Sequence, residues 1–192
     1  KLAKNIANET GERNLCLAGG VALNCVANGA LEREGIFDEI WIQPASGDAG
    51  GAVGAALASW HLHHCKERTV SKNRDSMKGA YLGPQYSDAE IKKELDLCGA
   101  VYKKYTTSEL IENVSKALVG EKAVGWMQGR MEFGPRALGG RSIIADPRSP
   151  SMQKQLNLKV KYRDSFRPFA PSILEEDVLD YFEYDGDSPY ML

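Results

Sequence analysis

The chain has no apolar run approaching the roughly 20 residues that cross a bilayer as a helix. Its first residues, Lys1 to Thr10, read as an amphipathic helix and not as a signal peptide, so nothing in the sequence directs it to a membrane. A C-x-x-C pair is also missing. The four cysteines, Cys16, Cys25, Cys65 and Cys98, are scattered, and at least two stand in apolar surroundings that suit a buried free thiol. This pattern predicts a reducing, cytoplasmic setting. Nor is there a large charge of one sign: 24 Lys+Arg against 26 Asp+Glu give a formal charge of -2. That balance removes a global electrostatic case for nucleic acid or an anionic membrane and leaves local clusters to consider. Internal repeats and low-complexity tracts are absent as well.

What remains is a chain of 192 residues, 43% hydrophobic, long enough for one ordinary core or two small ones. From Lys1 to about Cys65 helix and strand signals alternate. A strand is expected over 14–18, a helix over 21–34, a strand over 39–43 and a Gly/Ala helix from Asp48, whose small residues allow close packing on a sheet although each Gly weakens the helix by about 1 kcal/mol. Residues 67–78 carry charge and small polar groups and read as a solvated linker. Beyond it, Ser87-Asp88-Ala89-Glu90 and Thr106-Thr107-Ser108-Glu109 fit capping boxes opening helices near 88–98 and 108–119. Strands are expected at 123–127, 142–145 and 169–174, with a helix over 150–160 carrying Pro150 in its first turn. The division is thus 1–66, linker 67–78 and 79–192, both parts α/β.

Three places carry chemistry. Gly19 and Gly20 lie between a strand and a helix start, where an absent Cβ lets backbone N–H groups approach a phosphate or ribose, although a plain tight turn is the more ordinary explanation of the pair taken alone. Asp48 stands where it either caps the Gly/Ala helix or presents a carboxylate to a metal. The third is the stretch from Gly129 to Arg167, where Arg130, Arg136, Arg141, Arg148, Lys159, Lys161, Arg163 and Arg167 meet few acids, chiefly Glu132, Asp146 and Asp164. Guanidinium forks match phosphate oxygens two at a time, and the interleaved Phe, Pro and Gly speak against an ordinary solvated face. These cations are expected to converge on a pocket for a small phosphorylated ligand. The acidic flanks Glu175-Glu176-Asp177 and Asp185-Gly186-Asp187 weigh against a long polyanion such as RNA. His61, His63 and His64 read as helix-end groups rather than metal ligands, and Trp41, Trp126, Tyr181 and Phe182 as core.

Together, Leu17-Ala-Gly-Gly-Val-Ala-Leu-Asn24, Pro44-Ala-Ser-Gly-Asp-Ala-Gly-Gly-Ala-Val-Gly-Ala55, Gly129-Arg-Met-Glu-Phe-Gly-Pro-Arg-Ala-Leu-Gly139 and Phe166-Arg-Pro-Phe-Ala-Pro-Ser172 resemble the O-carbamoyltransferase family of nodulation factor and antibiotic biosynthesis. The resemblance implies the C-terminal piece of an actin-like ATPase (RNase H-like) domain followed by the first part of a YrdC-like α/β domain. It further implies that carbamoyl phosphate and ATP give carbamoyl-adenylate, from which the carbamoyl group passes to a hydroxyl-bearing small-molecule acceptor beside a divalent metal, Fe or Mg. By motif, Gly19, Gly20 and Asn24 would contact the adenylate and Asp48 would be a metal ligand. Lys161-Tyr162-Arg163 would be a K-x-R element, with Arg130 and Arg136 as catalytic contacts and Arg141 and Arg167 as further nucleotide contacts. By the same resemblance the sequence begins inside the ATPase-like half, after the family's H-x-x-x-H motif, and stops before its downstream Ser-x-Asn element, so an inactive fragment is expected. A non-catalytic nucleotide or phosphate module and a YrdC-type RNA-binding protein are the competing readings.

Overall fold

In the computed structural model, which describes residues 1–70, 75–184 and 186–192, the chain divides into two units. Unit 1 comprises Lys1–Gly83, Glu132–Leu138 and Ser188–Leu192; unit 2 comprises Pro84–Met131 and Gly139–Asp187. Both are mixed α/β, each built around a two-stranded sheet.

Unit 1 opens with α1 (Leu2–Thr10), which stops at Gly11 in the left-handed conformation, where the Gly11 N–H donates to the Ala7 carbonyl. β1 (Asn14–Leu17) pairs in parallel with β2 (Glu39–Ile42), Asn14 opposite Glu39 and Leu17 opposite Ile42. Arg13 and Asp38 form an ion pair just ahead of the two strands, and the Asp38 N–H donates to the Arg13 carbonyl, which fixes the register at its start. The helix expected over 21–34 is broken. A 3-10 turn occupies Gly20–Leu23 and α2 runs Cys25–Arg33, because the Asn24 side chain accepts the Ala27 N–H and so caps a new helix start. α3 (Asp48–Ala58) passes into a wider π turn over Ser59–His63. The core is small: Ala45, Met77, Ala80 and Tyr190, with Ala49, Phe133, Leu138 and Leu192 packed against it.

Part of the expected linker, residues 71–74, lies outside the described residues. Its end is core and not solvated chain, since Met77 is 4% exposed. Tyr190 closes this corner. Its hydroxyl donates to the Asp75 carboxylate at 2.9 and 2.8 Å and accepts from the Gly79 N–H, and its ring meets Trp41 edge-on.

In unit 2 both capping boxes are formed. Ser87 and Glu90 open α4 (Asp88–Leu97), and Thr106 and Glu109 open α5 (Thr107–Val119). β3 (Val124–Met127) pairs antiparallel with β4 (Arg141–Ile144). α6 (Met152–Gln155) continues as a π turn over Leu156–Val160, and α7 (Val178–Tyr181) follows a 3-10 turn at Glu175–Asp177. Pro150 precedes α6 instead of sitting in its first turn, because the helix boundary falls at Ser151. The strand expected over 169–174 does not form; residues 169–174 belong to no ladder.

Several burial expectations are also corrected. All four cysteines are exposed free thiols, since the short sheets and thin core leave their elements open on one side. Trp41, Tyr181 and Phe182 are exposed for the same reason. No helix among the described residues is long and apolar enough to cross a membrane.

Candidate functional site

β1 delivers the chain to Gly19, whose φ of 92° and ψ of 161° would strain any residue with a Cβ. Gly20 follows as the first residue of the 3-10 turn, and a Cβ added at either glycine would meet no atom within 4 Å. The turn is therefore open-faced. It is secured from below by the buried Asn28, whose amide donates to the Ala22 carbonyl at 2.8 Å. Asn24 spends its side-chain oxygen on the α2 cap, so its part in this turn is first structural. Asp48 is not the helix cap: that position falls to Gly47, which makes no side-chain cap, and Asp48 is the first helical residue of α3 with an exposed side chain.

The segment 132–138 belongs to unit 1. Arg136 donates from Nη2 to the Leu23 carbonyl at 2.6 Å, at the end of the Gly20–Leu23 turn. A Cβ built on Gly47 would lie 3.9 Å from the Leu23 side chain. Leu23 thus ties together the Gly19–Asn24 turn, the start of α3 and the guanidinium of Arg136. The Arg136 Nε and the Ser46 hydroxyl are enclosed here with no hydrogen-bond partner among the described residues. A buried donor left in that state costs about 1–3 kcal/mol, so this corner holds unspent donor capacity beside an open glycine turn. An anionic nucleotide end fits such residues in chemistry.

The remaining basic residues of this stretch lie in unit 2, where several of the arginines engage neighbours. Arg141 donates from Nη1 to the carbonyls of Gln128, Gly129 and Gly140, bracing the β3–β4 end. Arg163 donates to the Asn157 side chain at 2.7 Å and stacks over Phe169 at 5.0 Å. Asn157 is fully buried and passes its own amide protons to the Ser165 and Arg167 carbonyls. It therefore organises the 157–167 turn that carries Lys161, Arg163 and Arg167. Arg167 pairs loosely with Asp164, and Arg148 with Asp146. The hydrogen bonds from the Arg148 side chain and backbone hold the Asp146 carboxyl down at about 2.

The acids that looked too few for the arginines thus have specific duties, and the third, Glu132, accepts the Leu138 N–H. Arg136 joins the glycine turn of unit 1, Lys161, Arg163 and Arg167 share the Asn157-organised turn, and Arg130 and Arg141 lie by the β3–β4 end. A surface groove lined by Ala89, Lys92, Lys93, Asp96 and Leu97 contains none of these groups.

Sequence reading missed Glu132, Tyr81, whose hydroxyl donates to the Leu138 carbonyl, and the Asp75–Tyr190 pair as organisers. The only signal for Glu132 was its place inside the glycine-rich motif, and the others have none. A metal fares less well than a nucleotide: no group of three or more His, Cys, Asp and Glu that could hold one occurs among the described residues. Asp48 alone does not make a metal site. His61 instead bonds the Lys66 carbonyl through Nδ1 at 2.8 Å, as a helix-end group does.

Two sequence profiles of one family match, "Carbamoyltransferase N-terminus" over residues 1–57 and "Carbamoyltransferase C-terminus" over residues 115–192. The chain belongs to the carbamoyltransferase family. Similar curated proteins agree with this. An uncharacterized protein of Synechocystis sp. is 60% identical, the match taking in 100% of this chain and 31% of that protein. Nodulation protein NolNO of Sinorhizobium fredii is 44% identical over 91% of this chain and 25% of its own length. Nodulation protein U of Rhizobium fredii is 38% identical over 95% of this chain and 28% of its own. The chain therefore spans between a quarter and a third of the length of these relatives.

Proposed function

We propose that the protein to which these residues belong is an ATP-dependent O-carbamoyltransferase. Water cleaves carbamoyl phosphate to carbamate and phosphate, the carbamate attacks ATP to give carbamoyl-adenylate with release of pyrophosphate, and the carbamoyl group passes to a hydroxyl of a small metabolite or sugar with AMP leaving. Unit 1 corresponds to part of an actin-like ATPase domain and most of unit 2 to part of a YrdC-like domain. The observation that carries this reading is the meeting of Arg136 with the Gly19–Asn24 turn at the Leu23 carbonyl, supported by membership of the family.

The chemical logic is that a carbamate carbonyl is a poor electrophile. A mixed anhydride with AMP supplies a good leaving group, and positive groups must then hold phosphate charge without reorganising. Gly19 and Gly20 offer unobstructed backbone to a nucleotide, and Arg136 offers a guanidinium held at one nitrogen by a carbonyl. In unit 2, Arg163 is steadied by Asn157 and Phe169, so it and the neighbouring Lys161 and Arg167 are the groups to receive carbamoyl phosphate. Arg130 and Arg141 would serve the same ligand. ATP enters as a substrate. A divalent metal at Asp48 would need ligands from outside these residues, and no step is assigned to it.

The test is carbamoyl phosphate-dependent exchange of pyrophosphate into ATP, measured in the full-length Synechocystis relative. Exchange that is lost on replacing the counterpart of Arg136 is expected; exchange independent of carbamoyl phosphate would overturn the reaction. This chain by itself is expected to bind AMP without turnover.

A further inference from the structure

Arg136 sits near the tip of a loop whose two ends are fastened more firmly than a surface loop requires. At the entering end, the Phe133 N–H donates to the Ala80 carbonyl at 2.7 Å, and the Phe133 ring packs on the core of unit 1. At the leaving end, the Glu132 carboxylate, on a residue only 7% exposed, accepts the Leu138 N–H at 2.7 Å. The Tyr81 hydroxyl donates to the Leu138 carbonyl. Both backbone groups of Leu138 are thereby used, and the loop is drawn shut across its base. Between the ends, Gly134 has φ of 133°, and a Cβ there would stand 3.2 Å from the Pro44 carbonyl oxygen, so the tip lies directly on the chain leading into α3. Arg136 then reaches Leu23 at 2.6 Å.

We propose that Glu132 and Tyr81 are positioning residues for Arg136: by closing the 132–138 loop at Leu138 they hold its guanidinium at the Gly19–Asn24 turn. A mobile guanidinium would lose much of its value as a phosphate contact, because ordering it on binding opposes association. The functional half of this inference rests on the Gly19–Asn24 turn being the nucleotide site; the geometric half does not.

The experiment uses the 192-residue chain, labelled with 15N, and AMP as the probe. Hydrogen exchange at the Arg136 Nε–H reports the loop, since that atom is enclosed in the closed state. Glu132→Ala and Tyr81→Phe are each expected to accelerate that exchange, with the Asn28 backbone N–H in α2 unchanged as an internal control. AMP affinity is expected to fall roughly 10-fold in Glu132→Ala, about what one charge-assisted hydrogen bond is worth. Glu132→Gln, which keeps the accepting oxygen, should recover most of that loss. Because Tyr81→Phe removes a single exposed oxygen, it decides the matter if Glu132→Ala does not fold. Unchanged exchange in the folded variants overturns the proposal, as does accelerated exchange with undiminished AMP affinity. Wild-type chain that does not bind AMP at all overturns the nucleotide reading instead, and exchange at Arg136 then decides the loop by itself.

Discussion

Gly50 occupies the first turn of α3 at a point where an added Cβ would lie 2.2 Å from the Ala45 carbonyl oxygen. No rotamer relieves a backbone contact of that kind. Gly51 and Gly54, on the same helix, meet nothing within 4 Å. In this chain Gly50→Ala is therefore expected to destabilise by about 1–3 kcal/mol, whereas Gly51→Ala should stabilise by about 0.5–1 kcal/mol through the recovered helix propensity. Urea titrations of the two variants check the opposite signs. The composition of α3 was readable as a run of small residues, but which glycine is obligatory was not, because that depends on a carbonyl five positions earlier folding back over the helix start. The same limit applied to the basic stretch. Its residue types announced an anion, yet Arg136 is separated from Leu23 by 113 positions, and no local pattern records such a contact.

Elements with a local stop or start signal were legible. The two capping boxes fell where hydroxyl and carboxylate stood three residues apart, and α4 and α5 begin within a residue of the expected places. Thr106→Ala is expected to lower the stability of unit 2 by about 1 kcal/mol, seen as a fall in its melting temperature. Where an element depends on a distant partner the sequence was silent or misleading. Residues 169–174 have strand composition but find no strand to pair with, and the helix expected across Asn24 is split by that residue's own side chain.

The Tyr190 corner is another non-local element, and it titrates. Burial, then the hydrogen bond to Asp75, push the Tyr190 hydroxyl up from 10 to about 12. A group whose folded value is raised stabilises below its unfolded value and stops doing so as pH climbs through the folded one. The share of unit 1's stability that comes from this group should hold up to about pH 10 and be lost between about 10 and 12. Thermal melts of wild type and Tyr190→Phe across that interval give the check, with the variant expected to lack the decline.

At the scale of the molecule, the family was legible because its motifs are short, glycine-rich and arginine-rich, and such strings tolerate few substitutes when backbone must approach a ligand. The two-unit arrangement was not. A division near 67–78 follows from composition, but Glu132–Leu138 and Ser188–Leu192 join unit 1 by contact, and a polar spacer gives no hint of a later return.

The discontinuity of unit 1 has a practical corollary. A protease nick introduced between α4 and α5 would leave β1, β2 and the Met77 corner on one polypeptide and the Arg136 loop and Tyr190 on the other. Both pieces would still be needed to complete the same small core. The cleaved protein is therefore expected to travel through gel filtration as one particle and to come apart only in denaturant, a case of natural fragment complementation written into the path of the backbone.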